Sequence, residues 1–141
     1  MKMTNTIKLT AVALTATFGL AIAATAQNAP GTLPPASTKA DVTYATDIKT
    51  ILDASCVKCH SGDKPKARLK LDNLENTLKG GKDGKIVTAG DSANSLIVKS
   101  IAHLTGDHDQ WMPPMNNRAG IKPLTPEQIS LIRAWIDQGA K

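Results

Sequence analysis

Residues 47–60 read DIKTILDASCVKCH. Ile48, Ile51 and Leu52 recur at three and four residues, the spacing of one helix face, and predict a helix that starts near Thr46 or Asp47 and runs into Cys56. The residues that close the stretch, Cys56-Val57-Lys58-Cys59-His60, have the C-x-x-C-H spacing of a c-type haem attachment site. Two thiols separated by two residues at a helix end can reach the two vinyl groups along one edge of a porphyrin and form thioethers. The adjoining imidazole is then carried under the ring, where one nitrogen of His60 can bind iron as the proximal ligand. Its other nitrogen is expected to meet a backbone carbonyl that fixes the ring's orientation.

Three other chemistries use two nearby cysteines: a Cys56–Cys59 disulfide, a thioredoxin-like redox pair and a zinc site. Each fits this chain less well. A redox pair wants a βαβ setting, and a structural zinc site usually brings a second compact ligand pair.

Upstream, Lys2 and Lys8 precede an uncharged run, Leu9 to Ala24, and Ala24-Thr25-Ala26 supplies small residues for cleavage; residues 1–26 therefore read as an export signal. The run is short for a membrane span and contains threonines, so no span is expected after cleavage. An exported location, the periplasm or its equivalent, is also where haem attachment takes place. Residues 27–41, rich in Pro, Ala, Thr and Ser, read as a flexible leader, and residues 42–141 as one domain.

Downstream, Leu71, Leu74 and Leu78 predict a short helix ended by Gly80-Gly81, and Asp91 is placed to cap another through Leu96, Ile97 and Ile101. A loop follows from Leu104 to Leu124. In TPEQISLIRAWIDQGA, Thr125 and Gln128 form a capping box, Pro126 suits the first helical turn, and Ile129, Ile132, Trp135 and Ile136 make a buried stripe. No convincing strand pattern occurs, so an all-α domain of short helices is expected. The formal charge of +5 falls to +3 without Lys2 and Lys8, and Tyr44, Trp111 and Trp135 are the aromatics left after residue 26. That combination excludes a nucleic-acid reader, which needs a concentrated basic face with stacking residues. With no phenylalanine beyond residue 26, the interior lacks large flat side chains that a bound porphyrin would replace.

The opposite face of the iron has four candidate ligands: Met112, Met115, His103 and His108. Met112 is favoured, because Pro113 and Pro114 stiffen the segment that follows and can press its side chain inward. Met115 reads as a packing or surface residue sharing the loop, and the two histidines as surface residues.

The order YATDIKTILDASCVKCH, LKLD, GDSANSLI, MPP and LTPEQISLIRAWIDQGA resembles the small c-type cytochrome domain of the planctomycete type, over Val42 to Ala140. The resemblance implies one covalent haem c per chain, a compact cytochrome c fold, His60 proximal, Met112 distal, and an electron-transfer role rather than enzymatic turnover. Members often occur fused to larger domains, and Met115 is a second sulfur that the pattern does not require. The rival readings are a haem enzyme or gas sensor with an open position for peroxide, NO or CO, and a haem subunit of a larger oxidoreductase. Lys58, Lys64, Lys66, Arg68 and Lys70, with Asp63 alone among them, leave a local charge of +4 that suits either redox partners with acidic docking surfaces or a solvated loop.

Overall fold

The computed structural model describes residues 31–141; the expected export signal, residues 1–26, lies outside the described residues. Four α-helices carry the fold: α1 (Lys49–Ser55), α2 (Leu74–Lys79), α3 (Leu96–Ile101) and α4 (Pro126–Asp137). No strand occurs among the described residues, where a single isolated bridge joins Gly81 and Gly84.

The first helical segment begins earlier than its apolar spacing indicates. Tyr44–Ile48 is wound as a π-turn that leads directly into α1. Thr43 caps it, its side chain accepting from the Thr46 amide, while the Asp47 carboxylate accepts from the Thr43 amide at 3.0 Å. These reciprocal bonds satisfy backbone donors that a helix start leaves free. Tyr44, Ile48, Ile51 and Leu52 form the buried face.

That face meets α4. Ile48, Leu52, Ile132, Trp135 and Ile136 are almost completely shielded from solvent, each contributing about 1.5–3 kcal/mol of hydrophobic stabilisation. The Tyr44 and Trp135 rings pack with centroids 5.9 Å apart, and the Lys141 carbonyl accepts both the Tyr44 amide (3.0 Å) and the Trp135 indole N–H (2.9 Å). Tyr44 is thus a core residue.

The capping box of α4 is present as expected: Thr125 accepts from the Gln128 amide and the Gln128 side chain accepts from the Thr125 amide at 2.9 Å. Gly139, at φ +100°, ends the helix in the left-handed region that favours glycine. Helix α2 is capped by Asn73 and stopped at Gly80, where φ is +85° and a Cβ would sit 2.1 Å from the Gly84 carbonyl oxygen. Its fully buried residue is Thr77, whose hydroxyl donates to the Asn73 carbonyl at 2.7 Å, while Leu74 and Leu78 remain only partly covered.

Two stretches differ from the reading of the sequence. Asp91 caps a separate turn, accepting from the Asn94 amide at 3.1 Å, and α3 starts only at Leu96. The divider is Ser95, whose buried hydroxyl donates to the Asp91 carbonyl (2.9 Å) and accepts from the Thr88 amide (2.9 Å). The described part of the leader is tied down as an extended strap on α4. Ser37 donates to the Ser130 carbonyl at 2.9 Å, Arg133 to the Pro34 carbonyl, and Gln138 to the Lys39 carbonyl at 2.8 Å. Flexibility was inferred from composition, whereas these backbone groups are held by polar side chains and a carbonyl of α4.

Candidate haem-attachment site

The end of α1 folds the C-x-x-C-H residues into one tight turn. The amides of Cys56 and Val57 both donate to the Leu52 carbonyl, at 2.8 and 3.0 Å, and those of Cys59 and His60 both donate to the Cys56 carbonyl, at 3.1 and 2.9 Å. Both thiols are unbridged, Cys56 half-buried and Cys59 exposed. Burial, with a smaller contribution from Cys59, pushes the Cys56 thiol up to about 12, so it stays protonated in this setting.

His60 is buried, with 7% of its surface exposed. Its Nδ1 lies 3.2 Å from the Lys66 carbonyl oxygen. A carbonyl only accepts, so Nδ1 carries the proton and Nε2 keeps its lone pair. The expected carbonyl partner therefore exists and belongs to Lys66. Its loop is tied to the motif by the Lys66 amide on the Cys59 carbonyl (3.0 Å) and the Leu71 amide on the His60 carbonyl (2.8 Å). Burial lowers the His60 pKa, opposed by the backbone carbonyls of Lys66 and Leu69, which favours the neutral imidazole a metal needs.

The two methionines separate cleanly. Met112 is half-buried and packs against the hydrophobic core, its amide donating to the Ser100 carbonyl of α3 at 3.0 Å. Its peptide bond to the buried Pro113 is cis. Met115 is 71% exposed. His103 and His108 are both engaged with Trp111, the first stacked at a centroid distance of 5.0 Å and the second at 4.0 Å.

These residues fit a c-type haem on the chemistry of the donors: two unbridged thiols, and an imidazole whose Nδ1 is occupied so that Nε2 is the ligating atom. Leu69, Leu74, Leu78, Leu96 and Met112 pack on the core while staying partly uncovered, as a site for a large apolar group requires. A groove of about 580 Å³ runs beside the motif, between Ala54, Ser55 and Lys58 on one side and residues 119–123 of the loop after Met112 on the other. The competing chemistries find no support. Among the described residues no three His, Cys, Asp or Glu side chains come together as a metal site, and no βαβ unit is present.

Two features of the site were beyond the sequence reading: the identity of the carbonyl that holds His60, which is a backbone atom six residues away, and the association of Trp111 with both loop histidines. The grouping of His103, His108 and Trp111 within nine residues was the one available signal for the second.

Residues 56–116 match the family described as planctomycete cytochrome C. The fold and the site define a helical domain with a c-type haem motif. That match, over the segment that holds the C-x-x-C-H motif and Met112, supports the resemblance to this family read from the sequence. No curated protein and no solved structure matches the chain.

Proposed function

We propose that this protein is an exported mono-haem c-type cytochrome that passes single electrons between redox partners. The observation that carries the reading is the His60 ring, held by its Nδ1–H on the Lys66 carbonyl within a turn that presents two unbridged thiols. Cys56 and Cys59 would hold haem c through thioethers, and His60 Nε2 and the Met112 sulfur would be its axial ligands. When bound, the haem supplies a one-electron iron couple. Met112 as a ligand favours reduced iron and raises the potential relative to a second histidine. The packing of Met112 on the core, against the exposure of Met115, supports that choice.

Two strong protein ligands leave no open position, which favours a carrier over a gas sensor or peroxidase. The engagement of His103 and His108 with Trp111 also counts against their acting as distal acid and base. Lys58, Lys64, Lys66, Arg68 and Lys70 form no ion pair within 4.0 Å among the described residues, leaving their charge free to steer an acidic partner.

The test is made on protein purified from a host that matures c-type cytochromes. Mass spectrometry is expected to show a chain starting at Gln27 plus one haem. The ferric spectrum should contain the weak far-red sulfur-to-iron band, lost in Met112→Ala and kept in Met115→Ala, and the ferrous protein should not bind carbon monoxide. Absence of added haem mass ends the reading. Rapid carbon monoxide binding replaces the carrier with the sensor or enzyme.

A further inference from the structure

The segment between α3 and Met112 is closed on itself at a single acceptor. The amides of His103 (3.1 Å) and Met112 (3.0 Å) both donate to the Ser100 carbonyl, and His103 leaves the helix in the left-handed region at φ +56°. Within this loop the Trp111 ring lies parallel to the His103 imidazole, 4° between planes and 5.0 Å between centroids. It also meets the His108 ring at 4.0 Å and 41°, and its Nε1–H donates to the Thr105 carbonyl at 3.1 Å. The buried Nε2 of His103 has no hydrogen-bond partner among the described residues, and the contact its ring makes here is by its face, on Trp111.

On the other side of Met112, Pro113 is buried and the Pro114 carbonyl accepts from the Asn117 amide (3.1 Å) and side chain (2.9 Å), two residues beyond Met112. Pro113 and Pro114 have no N–H to donate. The anchors nearest to the Met112 side chain are thus its own backbone hydrogen bond to Ser100 and the ring contacts of Trp111, both on its N-terminal side.

We propose that Trp111 is a positioning residue: gripped by His103 and His108, its indole fixes the backbone at Met112 and keeps the thioether available to the iron. The inference rests on the assignment of Met112 made above. Without the indole, the closed loop opens more often, and Met112 spends more time away from its ligating position.

Added imidazole competes with Met112 for the axial position, so its apparent affinity scales with the fraction of molecules in which the thioether is displaced. In the ferric holoprotein, Trp111→Leu is expected to tighten apparent imidazole binding about tenfold and to make the far-red band disappear at a lower temperature. Trp111→Phe, which keeps a ring for the two imidazoles, should recover most of the difference. His108→Ala removes one exposed ring and should tighten binding about threefold, a milder variant that serves if Trp111→Leu does not fold. Thr77→Ala, a core change away from this loop, should lower Tm without changing imidazole affinity. If the Trp111 and His108 variants lower Tm while imidazole affinity stays at the native value, Trp111 only packs and the inference fails. A Met112→Ala protein with native band and affinity would overturn the ligand assignment itself, and with it this inference.

Discussion

At the scale of single residues, the chemistry is set by what each polar atom can reach. His60 is competent for iron because the Lys66 carbonyl occupies its Nδ1 and burial disfavours the imidazolium. The motif residues were legible because thioether attachment demands a fixed spacing, whereas the Lys66 carbonyl was not, since any backbone offers one. Asp47 shows the same logic at the start of the fold. The Lys39 ammonium, followed by the Thr43 amide and the Thr46 hydroxyl, holds its carboxyl down to about 2 from an ordinary 3.8. A depressed folded-state value means that the stabilisation is fully present above pH ~4 and is lost as pH falls toward 2. Asp47→Asn should therefore have a Tm that declines less between pH 5 and pH 2 than that of the native protein. Parallel Tm profiles for the two proteins would show that Asp47 contributes nothing to acid stability.

Among the elements, α4 was readable almost to its ends, because capping box, N-terminal proline, apolar stripe and C-terminal glycine all agree locally. Thr125→Ala removes the acceptor for the Gln128 amide and should cost about 1 kcal/mol, seen as a lower Tm with an unchanged far-red band. An unaltered Tm would mean that packing alone defines the start of the helix. Helix α3 was harder to read. Its short span depends on the Ser95 hydroxyl reaching the backbone of Thr88 and Asp91, a choice made by tertiary contacts and invisible to periodicity. The strap at residues 31–41 was misread for a similar reason. A sequence poor in apolar groups can still be fixed when another element supplies partners, and Arg133 does so by donating to Pro34 while its Nε is held on the Ser92 hydroxyl, which itself donates to Asp137 at 2.9 Å.

For the whole molecule, the unpaired basic residues around the motif define an approach rather than a binding energy. Steering of this kind acts on encounter rates and is screened within roughly 10 Å at 0.1 M salt. Electron transfer to an acidic protein acceptor should slow as ionic strength rises, and Lys64→Glu with Lys66→Glu should slow it about tenfold at low salt, as followed by stopped-flow absorbance. A rate indifferent to salt would assign these side chains to solvation only. The all-α class could be derived from pattern, but the way the ends of the domain meet could not, because the acceptor that joins Tyr44 to Trp135 is the backbone carbonyl of Lys141, which no side-chain pattern reveals. That one shared atom couples the start of the domain to its final helix. Losing the Lys141 carbonyl would leave the Tyr44 amide and the Trp135 indole N–H without their acceptor together, so fraying at one end of the domain would loosen the other.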